Sequence, residues 1–223
     1  MTAGPQTIQS TILDRTWLTN DVFELVCDRP AGYVFSPGQY AVVYQLQHCR
    51  EYTIISAVDD PVLRFLVRHI PSGLISSFLA TAPVGTPLGL GRAKGYLTFK
   101  ASSRPAVFVA TGVGVAPFVA MAHSGIGNFT LIHGIRLHAD RYYHDLFART
   151  ASRNVACISR EQLDSQLETE HCFSGRVTTY LETVLTPKIC DFYLCGSADM
   201  IRDVLLILDQ KFRGSNVYYE SFT

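Results

Sequence analysis

The chain has no concentration of charge. Its 19 Lys and Arg balance 19 Asp and Glu, and no block of like charges occurs, which argues against a nucleic-acid footprint or a polybasic membrane patch. It also lacks a long unbroken hydrophobic run: the longest, 106–122, is interrupted by Gly112, Gly114 and Pro117, so no membrane span is expected. The opening MTAGPQTIQS lacks the basic, apolar, small-residue progression of a secretion signal, and a cytoplasmic location is expected. Six cysteines, at 27, 49, 157, 172, 190 and 195, include no CxxC pair and no four-cysteine cluster spacing, so buried or reactive free thiols are expected and no metal site. No Ser/His/Asp or paired-carboxylate arrangement stands out. What is present is apolar material: 48% hydrophobic against 17% charged over 223 residues is enough for one large or two modest domains.

As far as about Lys100 the pattern is β. Short β-branched or aromatic runs at 7–13, 22–27, 39–45, 52–56, 63–69 and 96–99 are separated by turn chemistry such as Thr19-Asn20-Asp21, Ser36-Pro37-Gly38 and Asp59-Asp60-Pro61. Six strands without βα alternation predict a six-stranded antiparallel β-barrel. One short helix, 74–80, follows Pro71-Ser72-Gly73. Its first N–H groups have no internal partner and lie at the positive end of the dipole, so Gly73, Leu74, Ile75 and Ser76 form a candidate phosphate site. An ordinary capped helix fits the same residues.

The composition changes around Ala101-Ser102-Ser103-Arg104-Pro105, which places domains at 1–101 and 102–223. Beyond it, apolar strands at 106–110, 129–134, 155–159, 191–196 and 217–220 alternate with helices from Val115, around 140–150, at 176–185 and at 198–212. Strands without polar alternation, each followed by a helix, predict an α/β Rossmann-like parallel sheet covered on both faces. Its ligand belongs at the carboxyl ends of the strands. Three of those ends carry glycine, in Thr111-Gly112-Val113-Gly114, His133-Gly134 and Cys195-Gly196, and glycine lets a planar ligand come close to the backbone. The segment ATGVGVAPF ends a strand and opens a helix, as a dinucleotide loop requires, without being GxGxxG.

In the first domain the stretch Arg50-Glu51-Tyr52-Thr53 is organised for a flat cofactor with a phosphate tail. On a strand Arg50 and Tyr52 leave by one face and Thr53 by the other. A guanidinium fork can hold a pyrophosphate, a tyrosine ring can lie against an aromatic ring system, and a small hydroxyl can bond a ring nitrogen. A plain strand with one surface arginine and a half-buried tyrosine also fits.

Together these pieces resemble the ferredoxin-NADP reductase family, flavoproteins with a β-barrel flavin domain followed by a nicotinamide-binding α/β domain. FSPGQY at 35–40 is similar to the entry to the flavin strand, REYT to the RxY[ST] signature, GLISSFL at 73–79 to the phosphate helix, ATGVGVAPF to the nicotinamide loop and LCGSADM to the C-terminal Cys-Gly strand end. The resemblance implies that Arg50 binds the flavin pyrophosphate with the backbone of Leu74, Ile75 and Ser76. It implies that Tyr52, after Glu51, packs on the flavin and that Thr53 bonds near N5. Thr111, Gly112 and Gly114 would frame the nicotinamide and its pyrophosphate, with Cys195 and Gly196 by the nicotinamide C4. Phe222 is the candidate aromatic over the flavin face, with Glu220 near the site. Thr53, Cys195 and Glu220 are thereby placed nearest the reacting atoms, although Cys195 also fits as a small core residue.

Three arginines resemble those directed at a 2′-phosphate: Arg136 in HGIR, Arg160 after Ser159, and Arg176 in SGR. They favour NADP(H) over NAD(H). Each also fits a solvated surface arginine, and Glu161 stands ready to neutralise Arg160. FAD is favoured over FMN. The activity implied is an FAD-dependent NAD(P)H oxidoreductase exchanging single electrons with ferredoxin or flavodoxin. A second reading is the reductase component of an oxygenase or similar system, with its iron–sulfur component on another subunit. A third is a non-catalytic flavin-binding regulatory subunit. Two departures from the family pattern are Val113, where many members carry a hydroxyl, and the turn 91–95, whose Arg92 and Lys94 suit an acidic partner.

Overall fold

The computed structural model of the protein describes residues 7–162 and 171–222. They divide into two compact units, 7–99 with Val119–Ser124, and Lys100–Phe118 with 125–162 and 171–222.

In the first unit, β1 (Ile8–Trp17), β2 (Val22–Asp28), β3 (Tyr40–Gln45), β4 (His48–Thr53), β5 (Val62–Arg68) and β6 (Pro87–Leu90) form one antiparallel sheet in the order β4-β3-β6-β1-β2-β5. A bridge between Ile54 and Phe65 joins its two outer strands, closing the predicted barrel around a core that includes Ile12, Phe23, Leu25, Val43, Phe65 and Leu88. The sixth strand differs from the expectation. It is Pro87–Leu90, not 96–99. Gly89 sits where an added Cβ would lie 3.3 Å from both Thr7 and Tyr44, so glycine replaces the β-branched residue that would have marked the strand. Tyr96, the strongest β-former of the expected segment, is 95% exposed, and this region contributes only the Tyr40–Lys94 bridge. β4 also begins earlier than the expected 52.

The helix α1 (Leu74–Thr81) packs against β3 and β4. No basic residue lies in its last turn. That end is served instead by Arg15 of β1, whose Nε donates to Leu79 O at 2.7 Å and whose second nitrogen donates to Ala82 O at 2.6 Å. A cation here satisfies terminal carbonyls and faces the negative end of the helix dipole. Arg15→Met should therefore lower stability by about 1–3 kcal/mol. That corresponds to a fall in Tm of roughly 2–4 °C per kcal/mol for a chain of this size. An unchanged melting curve would show that water replaces the guanidinium at no cost.

The second unit is a six-stranded parallel sheet in the order β10-β9-β8-β7-β11-β12. Its strands are β7 (Ala106–Thr111), β8 (Thr130–Ile135), β9 (Arg153–Ile158), β10 (Cys172–Ser174), β11 (Asp191–Ser197) and β12 (Asn216–Phe222). This is the predicted doubly covered sheet, with β10 as an additional three-residue strand. The connecting helices are α2 (Ala116–His123), α3 (His144–Thr150), α4 (Val177–Thr183) and α5 (Ala198–Lys211). Short 3-10 turns precede α2 at Gly112–Val115 and lie at His138–Asp140, so the helix expected over 140–150 is split, with Tyr143 left-handed at φ 54° ahead of α3. Phe108 of β7 stacks on Phe118 at 4.5 Å and on Phe129 at 4.4 Å and meets Tyr193 edge-on at 5.3 Å. Each such pair contributes about 0.5–1.5 kcal/mol beyond burial. These contacts fix the strand whose end carries the Gly112 loop.

Candidate functional site

In the first unit, residues directly opposed in an antiparallel pair share a face. Arg50 lies opposite Val43 and Tyr52 opposite Ala41, so both leave β4 on the core side. Tyr52 packs its ring against the barrel core and is half-buried. Burial pushes its phenol up to about 12, against the opposing pull of the Arg50 guanidinium. Arg50 is exposed. Cys49, Glu51 and Thr53 take the other face; Glu51 is exposed while Thr53 is only 4% exposed.

At the start of α1, Gly73 is the N-cap and supplies no side-chain bond, and no acidic residue occupies the first turn. An added Cβ at Gly73 would meet Ser76 Oγ at 2.7 Å and Ile70 O at 3.1 Å, so the turn is tight for packing reasons. The Ser76 hydroxyl accepts from Ile70 N at 3.1 Å and donates to Ile70 O at 3.2 Å; Ser76 is buried, as is Ile75, while Leu74 is exposed. The donors left for an anion are thus backbone N–H groups of the first turn, not the serine hydroxyl. With α1 packed on β4, these N–H groups and the Arg50 strand occupy the same part of the unit. A helix start without an acidic side chain, an exposed guanidinium and a half-buried aromatic ring fit a phosphate-bearing flavin.

In the second unit the three glycine turns brace one another. An added Cβ at Gly114 would lie 2.4 Å from Cys195 O, one at Gly196 2.1 Å from Thr111 Oγ1, and one at Gly134 2.9 Å from Val177 Cγ1. The Thr111 hydroxyl also accepts from Ser197 N at 3.2 Å. Glycine at 114 and 196 is therefore required by protein contacts, a different reason from ligand approach. Gly112 is the exception: it is left-handed at φ 53° and its Cβ direction meets nothing within 4 Å. That side of the turn is open.

Cys195 lies on β11 between Ala110 of β7 and Glu220 of β12. It is fully buried. Burial pushes its thiol well above the ordinary range, and the Glu220 carboxylate pushes in the same direction, so it stays a neutral SH group and not a thiolate. Phe222 closes β12 opposite Ser197 and is half-buried.

The adjacent strands β8, β9 and β10 end at Ile135, Ile158 and Ser174, and just beyond these ends stand Arg136, Ser159-Arg160 and Arg176, all exposed. The first two ends are tied together, since Arg160 N donates to Arg136 O at 3.0 Å and Ser159 donates to Ile135 O through both N and Oγ at 3.1 Å. Gly175 N donates to Ile158 O at 2.8 Å, which ties in the third. Glu161 is turned away: its Oε2 accepts from His138 N at 2.6 Å, and among the described residues no ion pair joins it to Arg160. Three guanidinium groups at one sheet end, beside the open Gly112 turn, fit a phosphorylated dinucleotide. Among the described residues no cluster of His, Cys, Asp or Glu could hold a metal ion, and no helix is long and apolar enough to cross a membrane.

His133 was not singled out by sequence. Its Nε2 lies 2.8 Å from Gly112 O, and burial pulls its pKa down to about 4. The signal available was a histidine inside the apolar run before Gly134.

Comparison with known proteins accords with this geometry. Residues 108–205 match the oxidoreductase NAD-binding domain family. The electron transfer component of toluate 1,2-dioxygenase from Pseudomonas putida is 32% identical over 198 residues, covering 84% of this chain and 59% of that protein. The ferredoxin–NAD(P)(+) reductase component of the naphthalene 1,2-dioxygenase system from Pseudomonas putida is 26% identical over 208 residues, covering 87% and 62%. The chain thus spans less than two thirds of these relatives' length. A ferredoxin NADP+ reductase from Neisseria gonorrhoeae, solved with bound FAD and NADP, shares the fold with a TM-score of 0.83 at 22% identity, over 96% of this chain and 98% of that one. The chain therefore shares the two-domain fold of that ferredoxin NADP+ reductase, and its residues 108–205 match the oxidoreductase NAD-binding domain family.

Proposed function

We propose that the chain is an FAD-dependent oxidoreductase that uses NADP(H) and exchanges single electrons with a separate carrier, either a ferredoxin or flavodoxin or the iron–sulfur component of an oxygenase. The observation that carries this reading is the presence of two anion-ready constellations, one in each unit: Arg50 with the α1 start, and Arg136, Arg160 and Arg176 beside the open Gly112 turn. Bound flavin and nicotinamide supply the hydride and one-electron chemistry themselves. The protein's part is to hold and orient them. Arg50 and the N–H groups of Leu74, Ile75 and Ser76 take the flavin pyrophosphate, and Tyr52 offers its ring on the same face of β4. Thr53, nearly closed from solvent, is the hydroxyl assigned to N5. Thr111, Gly112 and Gly114 shape the floor for the nicotinamide half, and the neutral Cys195 thiol presents bulk without charge. Glu220 and Phe222 complete the strand beside it. The three arginines read the 2′-phosphate, which favours NADP(H).

Charge complementarity supports an acidic carrier. From Pro61 to Ala139 the chain has no acidic residue and seven Lys or Arg. Arg64 and Arg68 are paired with Glu24 and Asp21. Arg92 and Lys94 are exposed, with no ion-pair partner among the described residues, and shortly precede the exposed Tyr96. Such a patch steers an oppositely charged partner. The oxygenase reading draws on the relatives' own descriptions.

Anaerobic stopped-flow mixing of the purified protein with NADPH and with NADH tests the reading: a flavin absorbance that bleaches rapidly, faster with NADPH, is expected. A protein that binds FAD but is reduced by neither coenzyme would move the function to a regulatory flavin-binding subunit. Arg50→Ala should weaken FAD binding by about 10–100-fold, the loss expected for a charge-assisted hydrogen bond, measured by flavin fluorescence on dilution. Unchanged affinity would place the pyrophosphate elsewhere.

A further inference from the structure

We propose that His133 is a positioning residue for the nicotinamide half of the coenzyme, holding the Gly112 turn in shape through its Nε2–H bond to Gly112 O. The inference rests on the coenzyme reading above but concerns a residue outside the glycine loop and outside the arginine group.

His133 stands on β8, in register with Ala110 of β7 and Ala156 of β9, and it is only 4% exposed. An imidazole buried in an apolar strand is costly unless it is hydrogen-bonded. Its bond, at 2.8 Å, goes past the end of the neighbouring strand to Gly112 O. Since a carbonyl only accepts, the imidazole must donate, which fixes the proton on Nε2. Burial keeps the ring from taking a second proton until about pH 4, so this donor is a neutral group throughout the working range.

The position of the bond matters because of what braces the rest of the loop. Thr111 is tied to Ser197 N, and Gly114 is pressed against Cys195 O. Gly112 has no atom within 4 Å on its Cβ side and sits at φ 53°, so its carbonyl contact with His133 holds the turn from behind while leaving the front open. A donor on that carbonyl also polarises the Gly112–Val113 peptide, strengthening its N–H toward an anion. The expected consequence is selective: losing the bond harms the part of the coenzyme that lies on the Gly112 turn and leaves the adenosine 2′-phosphate end at the three arginines untouched.

The test uses the FAD-loaded protein and calorimetric titration with two probes, NADP+ and 2′,5′-ADP, the latter lacking the nicotinamide half. In His133→Gln the amide reaches the position of Nε2 and keeps a donor; in His133→Asn it stops one methylene short. His133→Gln is expected to bind both probes within about twofold of wild type. His133→Asn is expected to lose about tenfold in NADP+ affinity, the scale of one neutral hydrogen bond, with 2′,5′-ADP unchanged. If His133→Asn does not fold, His133→Leu, apolar in an apolar strand, carries the same two readouts. NADP+ affinity that survives removal of the donor overturns the proposal, and so does an equal loss for both probes, which would mark a general disturbance of the unit. A wild-type protein that binds neither probe overturns the coenzyme reading instead, and the two failures are separated because the second needs no variant.

Discussion

Replacing Arg160 and Arg176 together by alanine is expected to cut kcat/KM for NADPH by about 10²–10⁴-fold while changing that for NADH less than threefold. The estimate follows from two charge-assisted hydrogen bonds at about 1.5–3 kcal/mol each, with every 1.4 kcal/mol a factor of ten. Selectivity is the substance of the prediction. Both side chains are exposed at the ends of β9 and β10, and neither has an ion-pair partner among the described residues, so removing them leaves no buried carboxylate behind. NADH, which lacks the 2′-phosphate, has nothing to lose at these positions. The effect should appear in KM with kcat nearly unchanged, because a contact far from the reacting atoms is made equally in ground and transition states. The loss should shrink as ionic strength rises, since exposed charges are screened over about 8–10 Å. Steady-state kinetics with both coenzymes at two salt concentrations decides the matter. Equal losses with NADPH and NADH would mean that the arginines support the strand ends and do not discriminate the phosphate.

Arg136 and Arg160 were visible in the sequence because they follow apolar runs that read clearly as strands, and a strand end in a parallel sheet is a place where ligands gather; Arg176, ahead of a helix, was marked only by the resemblance of its SGR motif. The same logic located Arg50, since alternation on one short strand is enough to set its face. Other features were hidden for identifiable reasons. β6 is Pro-Leu-Gly-Leu, whose glycine is closely packed by Thr7, just before β1, and by Tyr44 of β3; no local propensity marks it. β10 has three residues, too few for any period to show. The aromatic segment around Tyr96 looks like a strand but leaves Tyr96 95% exposed, its region pairing only through the Tyr40–Lys94 bridge. Arg15 caps a helix that begins 59 positions later in the chain, a long-range relation without a local signature. For Gly114 and Gly196 the structure supplies a packing reason that the sequence did not show, because a glycine needed by a ligand and one needed by a neighbouring backbone look alike in one dimension.

That ambiguity makes the glycines separable by experiment. Gly114→Ala is expected to destabilise the protein heavily, by about 3 kcal/mol or more, because its Cβ would lie 2.4 Å from Cys195 O and 2.7 Å from Gly196 Cα. Both are backbone atoms that cannot rotate away, and overpacking a close contact costs about 1–3 kcal/mol even where neighbours can adjust. For a chain of this size that is a fall in Tm of roughly 6–12 °C. Gly112→Ala should behave in the opposite way. Nothing lies within 4 Å of its Cβ and its φ of 53° is one that other residues adopt at a cost of about 1–2 kcal/mol, so the fold should survive. Its methyl group, however, would project into the side assigned to the coenzyme, and NADP+ affinity should drop by at least tenfold with FAD affinity unchanged. Thermal melts and calorimetric titration of the two variants side by side are sufficient. A Gly112→Ala protein that binds NADP+ normally would remove the open side of the turn from the coenzyme site. A Gly114→Ala protein as stable as wild type would show that the strand ends of β7 and β11 can separate, and that their glycines are not held together as the structure has them.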